Sequence, residues 1–286
     1  MTYLANLKPE TTTKADQKPK SPITLPTLQK YKQNGEKFSC LTCYDASFAH
    51  LMELAEIDTI LVGDSLGMVV QGQSSTLPVT VNDMVYHTQN VVRANHHALI
   101  ICDLPFMSYA TLTDAIKNSR AVMQAGANMV KIEGGSELAE IVTVLAKNGV
   151  PTCVHLGLTP QSVNVFGGYK VQGKTDEQAD QLLKDCEILV NAGASMILLE
   201  CVPAKLAKKV TKSFAVPVIG IGAGVDTDGQ VLVMHDMLGI YTKKPARFVK
   251  DFLKDGGNET GDILGAFKNY HHTVKQKTFP SIEHSF

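Results

Sequence analysis

The chain has 286 residues, of which 44% are hydrophobic and 19% charged, and its formal net charge is −1. This composition is typical of an ordinary globular enzyme. The nearly neutral charge gives no reason to expect nucleic acid or an anionic membrane surface as a partner. No apolar run approaches the roughly 20 residues that a membrane span needs, and the length is near the about 250 residues typical of one α/β barrel.

The two ends of the chain differ in character. Residues 1–22 are polar and rich in Thr, Lys and Pro, without the apolar core of a secretory signal and without arginine. We predict that they form a disordered arm and that residues 23–286 form the catalytic domain. The last eight residues, from Phe279 to Phe286, also include Ile282. These apolar side chains predict a tail that packs on the barrel or on a neighbouring subunit.

The six cysteines predict neither disulfides nor a zinc site. Cys40 and Cys43 have C-x-x-C spacing inside a segment typical of a strand, where residues three apart point to opposite faces. Cys102, Cys153 and Cys201 lie in apolar runs, where a free thiol behaves as a small core side chain. Reduced thiols favour a cytoplasmic location.

Short apolar segments recur along the chain, and their continuous pattern predicts strands buried on both faces. They are FSCLTCYD (38–45), TILVGDS (59–65), ALIICDLP (98–105), MVKIEG (129–134), PTCVHLG (151–157), MILLEC (196–201) and PVIGIGAG (217–224). Helices are predicted between them at 47–56, 81–95, 111–125, 136–148, 176–192 and 203–214. This alternation and this length predict a single (β/α)8 TIM barrel rather than an open doubly wound sheet.

The remaining segments leave alternatives open. VLVMHDMLG (231–239) is either the eighth strand or a helix, and Asp228 has the place of a helix N-cap. Residues 28–33 predict a helix that closes the bottom of the barrel. Residues 246–254 and 260–274 predict terminal helices.

Ionisable side chains stand where the predicted strands end. They are Asp45, Asp64, Asp103, Glu133, His155 and Glu200. Lys131 shares a strand face with Glu133, because side chains two residues apart point the same way. Two long connections, 66–80 and 157–174, also follow strand ends and are candidate lids. Since barrel enzymes place their sites at this end of the strands, the sequence predicts an active site there.

The rim acids predict a metal and a proton transfer. Asp64, Asp103 and Glu133 end consecutive strands, and their oxygen ligands favour Mg²⁺ or Mn²⁺ over zinc. For any single acid, capping a helix or pairing with Lys131 explains its position about equally well. A Mg²⁺ chelated by a 2-oxo acid would acidify the adjacent carbon, and Glu200 is placed to act as the base. A histidine at position 155 either orients the substrate, shares a proton or is an ordinary core residue.

The same residues lie within long motifs that resemble one family. The motifs are VGDSLGM (62–68), STLPVT (75–80), DLPFMSYA (103–110), AGANMVKIEGG (125–135), HLGLTPQSVN (155–164), FGGYKVQG (166–173), LECVP (199–203), PVIGIGAG (217–224) and DGQVLVMHD (228–236). From about residue 25 onward the chain is similar to the ketopantoate hydroxymethyltransferases, also called 3-methyl-2-oxobutanoate hydroxymethyltransferases.

The resemblance implies an activity. It implies transfer of a hydroxymethyl unit from 5,10-methylenetetrahydrofolate to 3-methyl-2-oxobutanoate, giving 2-dehydropantoate (ketopantoate) and tetrahydrofolate at the start of pantothenate biosynthesis. It also implies one Mg²⁺ per subunit and a homodecamer. Carried over residue by residue, it implies that the metal lies among Asp64, Asp103 and Glu133, and that Glu200 accepts the proton. The implied substrate contacts are Asp64, Ser65, Asp103, Lys131 and His155.

Two other interpretations use the same residues. A Mg²⁺-dependent 2-oxo acid lyase or mutase of the phosphoenolpyruvate-mutase type would place similar acids at its rim, and it would need no one-carbon donor. A non-catalytic barrel that serves as a metal-dependent binding or assembly module would bind a 2-oxo acid without exchanging its C3 proton.

Overall fold

The computed structural model describes residues 21–241 and 244–286. Residues 1–20 of the predicted arm lie outside the described residues, so its disorder stays a prediction. The strands are Phe38–Thr42 (β1), Thr59–Val62 (β2), Leu99–Asp103 (β3), Met129–Glu133 (β4), Thr152–Gly157 (β5), Met196–Glu200 (β6), Val218–Ile221 (β7) and Gly229–Leu232 (β8).

Helices alternate with these strands. They are Leu25–Asn34 (α1), Ala46–Leu54 (α2), Leu66–Val69 (α3), Val81–Val92 (α4), Leu112–Gln124 (α5), Ala139–Lys147 (α6), Val163–Phe166 (α7), Asp176–Ala192 (α8), Ala204–Ser213 (α9), Met234–Met237 (α10) and Ile263–Lys275 (α11). Short 3₁₀ turns occupy 136–138, 160–162 and 282–284. None of the helices in the two described ranges is both long and apolar enough to span a membrane.

The strands form one closed parallel barrel in chain order, because β8 pairs with β1. All residues of β1 to β4 are buried, as expected for strands that pack against helices outside and side chains inside. The prediction of a single (β/α)8 barrel is confirmed.

The register of the strands brings the predicted site residues together. Asp103 pairs with Lys131 across β3 and β4, and Glu133 pairs with His155 across β4 and β5. Glu200 pairs with Gly157 across β5 and β6. Because the strands are parallel, all of these residues lie at one end of the barrel, which we call the rim.

Residues 231–239 contain both of the predicted alternatives, the end of a strand and a short helix. The first two of these residues end β8, and α10 follows within the same segment. Asp228 does not cap a helix, which corrects the prediction. Its Oδ2 instead accepts hydrogen bonds from Lys32 Nζ at 2.7 Å and from the Val218 backbone N–H at 2.9 Å. Asp228 directly precedes β8, so its hydrogen bonds lie at the bottom of the barrel, where the strands begin. Gly229 fits there because a Cβ would meet the Phe38 ring.

The first helix closes the bottom of the barrel, as predicted. A capping box between Thr24 and Thr27 begins α1, and Gly35 ends it in a left-handed conformation. Leu28 is fully buried. Lys32 Nζ also donates to the Thr211 carbonyl at 2.8 Å, which ties α1 to the end of α9.

The terminal segments agree with the predictions only in part. Residues 260–274 include all of α11 except its last residue, but 246–254 form turns and bends rather than the predicted helix. The reason is tertiary: the Phe252 N–H donates to the Met237 carbonyl at 2.7 Å instead of to its own segment. The buried Phe252 ring also packs edge-on against Phe279.

The C-terminal tail packs on its own barrel. Phe279 is buried, and the Phe286 carbonyl accepts a hydrogen bond from the Ala204 N–H at 2.8 Å. Arg247 lies over the Phe286 ring. The prediction of a packed tail is confirmed for both phenylalanines, whereas Ile282 is 90% exposed in the chain.

Tyr270 offers a test of how the barrel closes. Its buried hydroxyl lies 3.0 Å from the Cys40 carbonyl of β1 and 2.8 Å from the Gln230 carbonyl of β8. Tyr270→Phe removes that donor inside the core and should lower the free energy of unfolding by about 1–2 kcal/mol, measured as a lower urea midpoint. Tyr86→Phe is the matched control because Tyr86 is 62% exposed, and it should change stability by less than about 0.5 kcal/mol. Equal midpoints in the two variants would contradict this role.

Candidate functional site

The rim surrounds a cavity of about 670 Å³. Its lining includes every residue that the sequence assigned to the site: Asp64, Ser65, Asp103, Lys131, Glu133, His155 and Glu200. Asp45 is the exception among the strand-end acids. Its side chain accepts a hydrogen bond from the Phe48 N–H and caps α2, the alternative that the sequence left open for any single acid.

Lys131 lies at the centre of the charged groups. Its Nζ is 2.7 Å from Asp103 Oδ1 and 3.4 Å from Glu133 Oε1. The lysine is only 3% exposed, so its ammonium group has almost no contact with solvent. Burial alone would lower the pKa of Lys131, but the acids around it raise that pKa well above its usual range. The side chain is therefore a fixed positive charge.

His155 connects two glutamates. Its Nδ1 lies 3.3 Å from Glu133 Oε1, and its Nε2 lies 3.3 Å from Glu200 Oε2. Burial and the nearby Lys131 oppose protonation, but Glu133 and Glu200 outweigh them and raise the pKa of His155 to about 9. The imidazole therefore lies between the two carboxylates, which favour its protonated form; its Nε2 is at ion-pair distance from Glu200 without hydrogen-bond geometry.

The three acids have unequal environments. Burial raises the pKa of Asp64 well above its usual range, and repulsion from Asp103 and Glu133 adds to this. Burial also raises the pKa of Asp103, although Lys131 opposes it. Burial acts on Glu133 in the same sense, but Lys131 and His155 lower its pKa to about 2. Burial and repulsion thus act mainly on Asp64 and Asp103, which take up a proton more readily than Glu133 does.

The two aspartates lie side by side. The Asp64 backbone N–H donates to Asp103 Oδ2 at 2.9 Å. Glu133 is turned away to other partners, because its Oε2 accepts from the Gln161 N–H at 2.9 Å and its Oε1 faces Lys131. Within the described residues, no three His, Cys, Asp or Glu side chains are arranged to hold a metal ion as they stand. The prediction that all three acids ligate one ion stays a prediction.

Gln161 is a site residue that the sequence analysis missed. Its Nε2 donates to Asp64 Oδ2 at 2.8 Å and to the Leu104 carbonyl at 3.0 Å. Its Oε1 accepts from the Tyr109 hydroxyl at 2.6 Å. Gln161 is buried and holds Asp64 while its backbone holds Glu133. An uncharged residue inside a long predicted loop gave no signal of this role.

Ser65 is held by a second buried hydroxyl. The Tyr44 hydroxyl lies 2.9 Å from Ser65 Oγ and donates to Thr42 Oγ1 at 2.8 Å. Thr42 Oγ1 in turn accepts a hydrogen bond from the Met234 N–H. This chain of contacts fixes the position of Ser65 beside Asp64 at the cavity wall.

Both candidate lid segments contribute to the cavity. Met68 and Val69 come from residues 66–80, and Tyr169 comes from residues 157–174. The Tyr169 hydroxyl lies 3.7 Å from Met68 Sδ, so the two loops meet. A closing motion of these loops stays a prediction.

Comparison with known proteins places the chain in a family. The sequence model for ketopantoate hydroxymethyltransferase matches residues 22–282. The 3-methyl-2-oxobutanoate hydroxymethyltransferase of Psychrobacter arcticus is 66% identical over 263 residues, covering 92% of this chain and 99% of that protein. The protein of the same name from Acinetobacter baumannii is 63% identical over 265 residues and covers 92% of this chain and 98% of that protein.

A solved structure shares the barrel at much lower identity. Phosphonopyruvate hydrolase, in a complex with oxalate and Mg²⁺, is similar to this chain with a TM-score of 0.58 and 11% sequence identity. The match covers 73% of this chain and 80% of that chain. At this identity the similarity shows a common fold and does not extend to the reaction.

The crowded acids predict a stability effect in metal-free protein. The raised pKa of Asp64 means that its protonated form stabilises the fold, and that this stability is lost as the pH rises from the usual carboxyl range through the folded-state pKa. Asp64→Asn removes the titrating carboxyl group and with it this loss of stability, and the new amide oxygen can still accept the hydrogen bond from Gln161. We expect its thermal midpoint in EDTA to exceed that of the parent by at least about 2 °C at pH 7.5, with a smaller difference at pH 5.

The control for this experiment is Asp226→Asn. Asp226 is partly exposed and pairs with Lys208 at 3.2 Å on the surface, so its loss should leave the midpoint nearly unchanged. A lower midpoint for Asp64→Asn than for Asp226→Asn at pH 7.5 would contradict the assignment of repulsion at Asp64.

Proposed function

The chain belongs to the ketopantoate hydroxymethyltransferase family and is an enzyme, and we propose that it uses the rim cavity to convert 3-methyl-2-oxobutanoate into 2-dehydropantoate (ketopantoate). The one-carbon donor in this proposal is 5,10-methylenetetrahydrofolate, which leaves as tetrahydrofolate. The observation that carries the proposal is the position of Glu200, within reach of His155 and in the same cavity as the aspartate pair and Lys131.

The aspartate pair fits a magnesium ion. Mg²⁺ in enzymes typically takes one or two carboxylates and keeps several waters, leaving room for substrate oxygens. Asp64 and Asp103 are buried and lie beside each other, and Lys131 is the cation that lowers the pKa of both. They would hold one Mg²⁺ per subunit. Glu133 would lie beside the ion rather than bind it, because both of its oxygens already contact protein groups. A bound Mg²⁺ would polarise the 2-oxo group and so acidify C3.

The protein groups divide the remaining work. Lys131 supplies a buried positive charge for the anionic 2-oxo acid, and Ser65 supplies a hydroxyl held by Tyr44. Glu200 is the base that takes the C3 proton. His155 orients Glu200 from one side while Glu133 fixes the imidazole from the other. The nucleophilic carbon formed at C3 then bonds to the one-carbon unit of the folate. One water is consumed: its oxygen becomes the new hydroxyl group, the two C–N bonds of the methylene bridge break, and the proton from C3 and one proton from the water end on N5 and N10 as tetrahydrofolate leaves.

The alternative is a lyase or mutase of the phosphoenolpyruvate-mutase type. The shared barrel of phosphonopyruvate hydrolase supports it at the level of fold. One assay separates the two reactions: the protein is mixed with Mg²⁺ and 3-methyl-2-oxobutanoate, with and without methylenetetrahydrofolate, and products are identified by mass spectrometry. Ketopantoate that forms only with the folate supports the proposal. Cleavage or rearrangement of the acid without the folate supports the lyase.

Two further parts of the proposal rest on the reduced cysteines and on the family, not on the geometry of the site. We expect a cytoplasmic protein and a homodecamer, and sedimentation of the purified chain measures the assembly. Neither part enters the mechanism of the single barrel.

Asp103→Asn tests the metal assignment. Removing one of two adjacent carboxylates should weaken Mg²⁺ binding by about 10-fold or more, measured by titration calorimetry without substrate. Circular dichroism should show an intact barrel. Asp226→Asn is the control and should bind Mg²⁺ like the parent. Unchanged Mg²⁺ affinity in Asp103→Asn would overturn the assignment.

Glu200→Gln tests the base. A positioned general base typically contributes about 10²–10⁴-fold to the rate, so this variant should lose C3 deuterium exchange of 3-methyl-2-oxobutanoate in D₂O by that factor. It should still bind Mg²⁺ and the 2-oxo acid. Glu187→Gln, on the exposed face of α8, is the matched control. C3 deuterium exchange at the parental rate in Glu200→Gln would show that another residue is the base, and His155 would be the first candidate.

A further inference from the structure

The cavity has two chemically different sides. The charged residues come from the ends of β2 to β6, where Asp64 and Glu200 mark the two limits. The side formed by β7 and β8 contributes Ile221, Val231 and Val233. In a closed barrel of eight strands, β8 stands opposite β4, which carries Lys131 and Glu133. The apolar side therefore faces the charged side.

The cavity is larger than the 2-oxo acid requires. At about 30 Å³ per non-hydrogen atom, the volume of one water in the liquid, the eight such atoms of 3-methyl-2-oxobutanoate would occupy roughly 240 Å³. The cavity measures about 670 Å³. More than half of the space thus remains for a second ligand, and the apolar side of the cavity is where it would lie.

Asp236 is the acid on the apolar side. It lies in α10 directly after β8 and lines the cavity. Within the described residues its carboxylate forms no hydrogen bond and no ion pair, and Lys244, which also lines the cavity, is not paired with it. Burial without a cation nearby raises the pKa of Asp236 to about 6, so at neutral pH it is mostly a carboxylate with unused acceptors.

The chemistry of this carboxylate selects its ligand. A 2-oxo acid is an anion that Asp236 would repel, and such a ligand matches Lys131 on the other side. An apolar wall with one carboxylate matches a flat, uncharged heterocycle that presents two adjacent N–H donors. The 2-amino-4-oxopyrimidine ring of a reduced pterin presents such a pair, the ring N3–H and the 2-amino group.

We propose that Asp236 binds the pterin of the folate donor by accepting hydrogen bonds from N3–H and the 2-amino group. This inference rests on the proposed function, because it assigns a site to the donor named there. Ile240 and Phe248, which line the cavity near α10 in the chain, cover the faces of the ring. Asp236 is a binding residue and takes no part in proton removal at C3.

The test measures folate binding apart from the chemistry. Tetrahydrofolate is titrated anaerobically into the parent protein and into Asp236→Asn, and C3 deuterium exchange is measured on the same samples. An amide cannot accept from both donors, and a charge-assisted hydrogen bond is typically worth about tenfold or more in affinity. In Asp236→Asn, the factor by which the Kd for tetrahydrofolate rises should be at least ten times the factor by which the C3 exchange rate falls. Asp226→Asn, the same change outside the cavity, should leave both quantities at their parental values.

A second probe addresses the same contact in the unaltered protein. A tetrahydrofolate analogue without the 2-amino group should bind the parent at least tenfold more weakly than tetrahydrofolate, and this difference should shrink in Asp236→Asn. Parental tetrahydrofolate affinity in Asp236→Asn, or no discrimination against the analogue, overturns the assignment of Asp236 alone. A parent protein that exchanges C3 but does not bind tetrahydrofolate overturns the folate donor itself.

Discussion

The site depends on one buried positive charge. Lys131 is nearly inaccessible to solvent, and its ammonium group lies between Asp103 and Glu133. Burying carboxylates together is costly unless they are paired, and without this lysine Asp64 and Asp103 would lose the cation that offsets their repulsion. His155 offsets Glu133, but one ammonium group does not balance both aspartates. Burial and repulsion from Asp103 and Glu133 raise the pKa of Asp64, and this repulsion is the physical reason to expect a divalent cation.

The barrel converts this charge arrangement into a division of labour. Strands β2 to β6 carry the charged groups that we propose to bind an anionic acid and remove a proton, while β7 and β8 present an apolar wall. A reaction between a charged small molecule and a large heterocycle needs both surfaces within one water-poor space. Gln161 joins two of the rim acids. Its side chain donates a hydrogen bond to Asp64, and its backbone N–H donates one to Glu133.

Much of this site could be predicted from sequence because parallel strands in a closed barrel must end together. It was enough to know that Asp64 and Glu200 stand at the ends of buried strands and that Lys131 shares a strand face with Glu133. The direction of each side chain could not be predicted, because it depends on neighbours distant in the chain. Asp45 caps a helix instead of lining the cavity, and Glu133 turns toward His155. The helix expected at 246–254 was wrong for the same reason, because its backbone bonds to α10.

The barrel alone does not select the reaction. Phosphonopyruvate hydrolase has the same fold at 11% identity, and acids at strand ends are available to any barrel of this kind. A C–C bond-forming transfer additionally needs a base beside C3 and a place for the donor, and our proposal assigns these requirements to Glu200 and to the wall after β8. Relatives at 63–66% identity align over nearly their whole length, so their likeness includes these residues' segments as well as the barrel. The family therefore carries information on chemistry that the fold does not.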